Sequence, residues 1–80
     1  MDLKDIRKEI DGIDVEFVKL FERRMALASR VAQFKRENNL TVLDASRESE
    51  VLQRAESTIQ DENLKPFARH FFEIFEVGKS

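Results

Sequence analysis

"LKDIRKEIDGIDVEFVKLFERRMALASRVAQF", residues 3–34, decides the fold. Leu3, Ile6, Ile10, Ile13, Phe17, Leu20, Arg24, Leu27, Val31 and Phe34 follow one another in alternating steps of three and four, the a and d positions of a heptad repeat. Nine of these ten are apolar, so the stretch reads as one long helix with a single apolar seam, predicted over about 3–38. Arg24 is the exception. Gly12 lies off the seam and costs about 1 kcal/mol relative to Ala without breaking the pattern. Asn38 and Asn39 supply a left-handed stop.

Beyond the stop, residues 39–44 form a short connection, and Asp44 is the N-cap of a second helix, predicted at about 45–60. Its stripe is Val51, Leu52, Ala55 and Ile59, and "QDEN" (60–63) then breaks the pattern. A third helix, predicted at about 64–78, carries Pro66 in its first turn, where a missing N–H does no harm. Leu64, Phe67, Ala68, Phe71, Phe72 and Phe75 give it a wide aromatic face. Strand-type alternation is absent, so the fold class is all-α and the 80 residues make a single domain. Length then becomes an argument. A first helix of 36 residues spans about 54 Å, whereas helices of 16 and 15 residues reach about 24 and 22 Å. One short helix cannot cover the seam, and a monomer would leave it bare. The expectation is an intertwined helical homodimer with the long helices as its spine.

Composition narrows the function. At 41% hydrophobic and 38% charged, the chain is neither disordered nor built to cross a bilayer, and the charged residues after Met1 point to a cytoplasmic protein. A net charge of −2 leaves no electrostatic footprint for nucleic acid. No cysteine and one histidine, His70, exclude disulfides and argue against a structural metal site.

The polar residues on apolar faces carry the functional signal. Arg24 and Lys35 are eleven residues apart, and eleven steps of about 100° return nearly to the starting direction. Taken alone, Arg24 reads as a register-fixing polar seam residue and Lys35 as a snorkelling side chain near a helix end. Arg47 and Glu48, one turn before Val51 and Leu52, are expected on the apolar side of the second helix. Three cations with one carboxylate leave a charge deficit, and the simplest partner is a ligand with about two carboxylates or a phosphate. There is no nucleophile–base pair and no Gly-rich phosphate loop. Such a site orients an anion and stabilises charge that develops on it.

Three segments, "IRKEIDGID" (6–14), "ERRMALASRVAQFK" (22–35) and "VLDASRESEVL" (42–52), together resemble the all-helical class of chorismate mutase. The shared pattern is an Arg in the first helix, an Arg and a Lys eleven apart, and a D-x-x-R-E turn into the second helix. The resemblance spans nearly the whole chain and is weakest in the third helix. It implies rearrangement of chorismate to prephenate by a [3,3]-sigmatropic shift, a step of phenylalanine and tyrosine biosynthesis that needs no nucleophile, metal or cofactor. It also implies roles. Arg7 and Arg24 hold the substrate carboxylates, and Lys35 donates to the ether oxygen and contacts a carboxylate. Asp44 (through its backbone) and Glu48 receive the ring hydroxyl, and Arg47 completes a cationic wall. Arg7 lies about 25 Å from Arg24 and about 42 Å from Lys35 along a straight helix, so the pocket takes Arg7 from a partner chain.

The end of the chain departs from the pattern. The family carries a Ser on the inner face of the third helix and a Gln four residues later. Here Gly78 aligns with the Ser, and the sequence stops at Ser80, before the Gln. The expectation is a chain shortened at its C-terminus or cut from a larger protein, with the fold kept and turnover reduced. Two alternatives stand beside the mutase: an isochorismate pyruvate lyase-like enzyme, and a non-catalytic helical dimerisation or regulatory module. The D-x-x-R-E turn favours the mutase over the lyase, and the full set of cations favours it over the module.

Overall fold

Backbone is described for residues 1–41 and 44–77 in the computed structural model, with side chains described through Ile74; Val42, Leu43, Gly78 and the side chain of Phe75 in the sequence reading lie outside them. The order is all-helical: α1 (Leu3–Glu37), α2 (Ala45–Thr58), a 3-10 turn (Glu62–Leu64) and α3 (Lys65–Val77). The chain divides into two units, Met1–Gln33 and Phe34–Ser80.

In the first unit, α1 opens on a reciprocal cap. The Asp5 N–H donates to Asp2 Oδ1 at 2.9 Å, and the Asp2 N–H points back to Asp5 Oδ2 at 3.5 Å. Each aspartate thus satisfies a donor that a helix start leaves unpaired, with Asp where Glu or Gln is usual. The apolar seam is exposed along its whole length, from 43% at Ile6 to 60% at Leu3. A second line at the same spacing, Val18, Phe21, Met25, Ala28 and Ala32, runs beside its later half. Val18 and Phe21 are exposed, while Met25, Ala28 and Ala32 are half-buried. A methyl group added at Gly12 meets nothing within 4 Å.

In the second unit, α1 ends in a complete left-handed cap. Asn39 has φ 56°, the Leu40 N–H donates to the Lys35 carbonyl at 2.8 Å, and the Asn39 N–H donates to Arg36 at 3.3 Å. These are the two bonds of a Schellman motif, and Asn tolerates the left-handed residue because its short polar side chain bonds locally. The first helix therefore stops within a residue of its predicted end.

Helix α2 stops two residues earlier than predicted. The hydroxyls of Ser57 and Thr58 both donate to the Arg54 carbonyl, at 3.1 and 2.8 Å, and Ile59 leaves the helix with ψ 128°. Helix α3 starts one residue later than predicted because the turn before it is wound more tightly. Asp61 Oδ1 accepts the Asn63 N–H at 2.9 Å, and its carbonyl accepts the Leu64 N–H at 3.0 Å. Pro66 follows in the first turn of α3, as its missing N–H allows.

Helices α2 and α3 pack on each other. Val51, Leu52, Ala55 and Ile59, the predicted stripe, are all half-buried, as are Ala68 and Phe72 on α3. The aromatic face of α3 divides. Phe72 belongs to the half-buried side, whereas Leu64, Phe67, Phe71 and Ile74 form an exposed line at 3-4-3 spacing. The adjacent rings of Phe71 and Phe72 meet edge to face at 5.8 Å. Arg69 clasps the pair of helices, donating to Glu56 at 2.7 Å, with Glu73 at 3.3 Å. The hydrogen bond and charge of Glu56 raise the Arg69 pKa above its ordinary value, so the guanidinium stays charged.

Candidate functional site

The first turn of α2 brings three of the expected residues together. Asp44 sits in extended backbone (φ −131°, ψ 91°), and its Oδ1 accepts the Arg47 N–H at 3.0 Å. Its carbonyl accepts the Glu48 N–H at 3.0 Å, the first bond of the helix. The aspartate is thus the N-cap its position predicted, and its carboxylate is committed to the backbone.

From this turn the two following side chains diverge. Glu48 is half-buried and falls, at about 100° per residue, in the middle of the arc of Val51, Leu52, Ala55 and Ile59. Arg47 lies about 40° beyond the edge of that arc and is exposed. The expectation of both on the apolar side therefore holds for Glu48 alone. The Arg47 guanidinium has a partner the sequence reading did not weigh: Nη1 donates to Glu50 Oε1 at 2.7 Å. Arg54 Nη2 donates to the same oxygen at 2.7 Å. Steps of three and four residues put all three on one helix edge, which is the signal that could have found them.

On α1, the charged residues that are half-buried are Arg24 and Lys35, the two singled out by spacing. Arg24 belongs to the first unit, on the seam between Leu20 and Leu27, with the half-buried line of Met25, Ala28 and Ala32 beside it. Lys35 belongs to the second unit, and its own carbonyl receives the Leu40 N–H of the terminal cap, so the turn that carries it is pinned. Arg7 is exposed near the start of α1, beside Leu3, Lys4 and Asp11 on a shallow surface. Seventeen residues separate it from Arg24, about 25 Å of helix, so the first unit does not bring these two arginines together.

Chemically, the candidate residues of the two units are mostly cations, and Glu48 is a half-buried carboxylate among them. Among the described residues no group of three His, Cys, Asp or Glu side chains could hold a metal ion, and no helix is long and apolar enough to cross a membrane. Guanidinium forks suit planar carboxylates, and a lysine ammonium suits a single oxygen that gains charge. His70 is exposed on α3, 4.0 Å from Glu73.

The sequence matches the family described as chorismate mutase type II over residues 6–77. It is 34% identical to a chorismate mutase of Methanocaldococcus jannaschii, over 78% of this chain and 63% of that protein. It is 41% identical to the T-protein of Haemophilus influenzae over 64% of this chain. It is 40% identical to a bifunctional chorismate mutase/prephenate dehydratase of Aquifex aeolicus over 66% of this chain. The matches cover only 14% and 15% of the last two proteins. No solved structure matches.

Proposed function

This chain belongs to the chorismate mutase type II family, and from that membership we propose that it converts chorismate to prephenate by a [3,3]-sigmatropic rearrangement. The observation that carries the reading is the half-burial of Arg24, Lys35 and Glu48 on faces otherwise lined by apolar or small side chains. Guanidinium and ammonium groups set among apolar side chains suit the carboxylates of a dianionic substrate.

In this reading Arg24 and the partner subunit's Arg7 grip the two carboxylates and hold the substrate in its compact conformer. Lys35 donates to the ether oxygen, where negative charge grows as the C–O bond breaks. Glu48 and the backbone of Asp44 receive the ring hydroxyl, and Arg47 closes the cationic side. Catalysis is then selection of the reactive conformer plus electrostatic stabilisation at one oxygen, with no covalent intermediate. The working form is a homodimer, supported by the exposed seam of α1, whose apolar residues need a cover as long as the helix. A cytoplasmic location is part of the proposal, in keeping with a chain that is 38% charged.

The test is complementation. Arg7→Ala and Lys35→Ala homodimers are each expected to lose nearly all chorismate turnover. Unfolding the two together and refolding the mixture makes about half of the dimers mixed, and each mixed dimer holds one intact site and one doubly altered site. Turnover should recover to about one quarter of wild type. A mixture that stays inactive despite confirmed heterodimers would overturn the shared site. Release of pyruvate from isochorismate, without loss of chorismate, would overturn the mutase reading in favour of a lyase.

A further inference from the structure

We propose that Glu50 is a positioning residue for Arg47, with Arg54 holding Glu50 in turn. The geometry is specific. Arg47 Nη1 and Arg54 Nη2 both donate to Glu50 Oε1, each at 2.7 Å. Because the partners lie three and four residues apart on α2, the helix itself sets the arrangement. All three side chains are more than half exposed, at 53–63%, so their pairing adds little to stability. Its consequence is for orientation and charge. With Nη1 tied to Glu50, Arg47 keeps its Nε–Nη2 edge, the edge that grips a carboxylate through two parallel bonds. One carboxylate between two guanidiniums leaves the cluster with a net positive charge, so the tether does not cancel the attraction for an anion.

This inference rests on the reading of Arg47 as part of a dianion site, and the sign of one effect separates it from a charge effect. Removing Glu50 deletes a negative charge, which by electrostatics alone would tighten binding of a dianion. A lost tether weakens it instead. Prephenate affinity is measured by calorimetry for the wild type, Glu50→Ala, Arg47→Met and the double variant of the full chain. Alanine keeps helix propensity, so helical circular dichroism should be unchanged in Glu50→Ala. Glu50→Ala is expected to weaken binding about fivefold, in the range of a lost charge-assisted contact. In the Arg47→Met background the same substitution should change affinity less than about twofold, because Glu50 acts through Arg47. Unchanged or tighter binding in Glu50→Ala overturns the positioning role alone, as does an equal weakening in both backgrounds. Wild-type affinity in Arg47→Met, or no prephenate binding by the wild type, overturns the underlying reading of the site.

Discussion

The two units of this protein solve burial in opposite ways. The first contains one helix, and its heptad pattern is the most regular in the chain, yet every apolar residue of the seam is exposed. The second contains α2 and α3, whose patterns are shorter and less regular, yet their stripes are half-buried against each other and clasped by Arg69 and Glu56. Regular periodicity is therefore no measure of burial within one chain. A seam of 3-4 spacing from Leu3 to Phe34, about 48 Å long, asks for a partner of matching length, and α2 and α3 reach only about 21 and 20 Å. The irregular stripes of α2 and α3 match each other in length, and each finds its cover in the other.

The sharpest way to break this contrast is a charge in the middle of the seam. Leu20→Glu is expected to destabilise the proposed dimer by about 4 kcal/mol or more, because its symmetry would bury two unpaired carboxylates. Sedimentation equilibrium should show a monomer, and the helical circular dichroism signal should fall. An unchanged mass and signal would make the seam a solvent face and end the comparison.

Next in size is Lys35, which tests whether the half-buried cations of α1 serve packing or chemistry. Lys35→Ala should lower turnover by at least about 10²-fold, as removal of a donor to a developing oxyanion does. Its thermal midpoint should change little, since truncation also relieves a half-buried charge. A large loss of stability with near-normal turnover would assign Lys35 to packing.

Within the second unit, the division of the α3 aromatic face offers a matched pair. Phe72→Ala should cost about 2 kcal/mol in denaturant unfolding, a half-buried fraction of the usual core value. Phe67→Ala, at a ring 72% exposed, should cost less than about 0.5 kcal/mol. Equal costs would mean that the outer line of α3 is also covered in the folded assembly, extending the rule of α1 to a second helix.

The smallest effect comes from Gly12. A methyl group there meets open space, so Gly12→Ala should stabilise the protein by about 0.5–1 kcal/mol through helix propensity. Destabilisation would place another backbone against α1 at that turn and locate the approach of its cover.

Much of this was legible in the residues because it is local. Asp44 as an N-cap and Asn39 as a left-handed stop follow from the bonding habits of short polar side chains, and both hold. The spacing that picked out Arg24 and Lys35 also picked out the half-buried cations of α1. The outcome for Arg47 differed. Adjacent to Glu48 in sequence, it was expected to share the apolar side, but the 100° step moves it past the edge of the stripe and into reach of Glu50. The tight turn at 62–64 was equally hidden, since "QDEN" breaks a helix pattern without stating how the chain recovers from the break.

By itself the sequence determined what depends on neighbours along the chain: three helices, the Asp44 cap, the Asn39 stop, and the cations set among apolar residues, all governed by spacing of a few residues and by local hydrogen bonding. The choice among partners was left to the tertiary structure. Only there does the α3 face divide into a packed and an exposed line, and only there does Arg69 reach across thirteen residues to Glu56. Periodicity defines a direction around a helix axis, and what lies in that direction is a matter of which other surface can bury more apolar area against it.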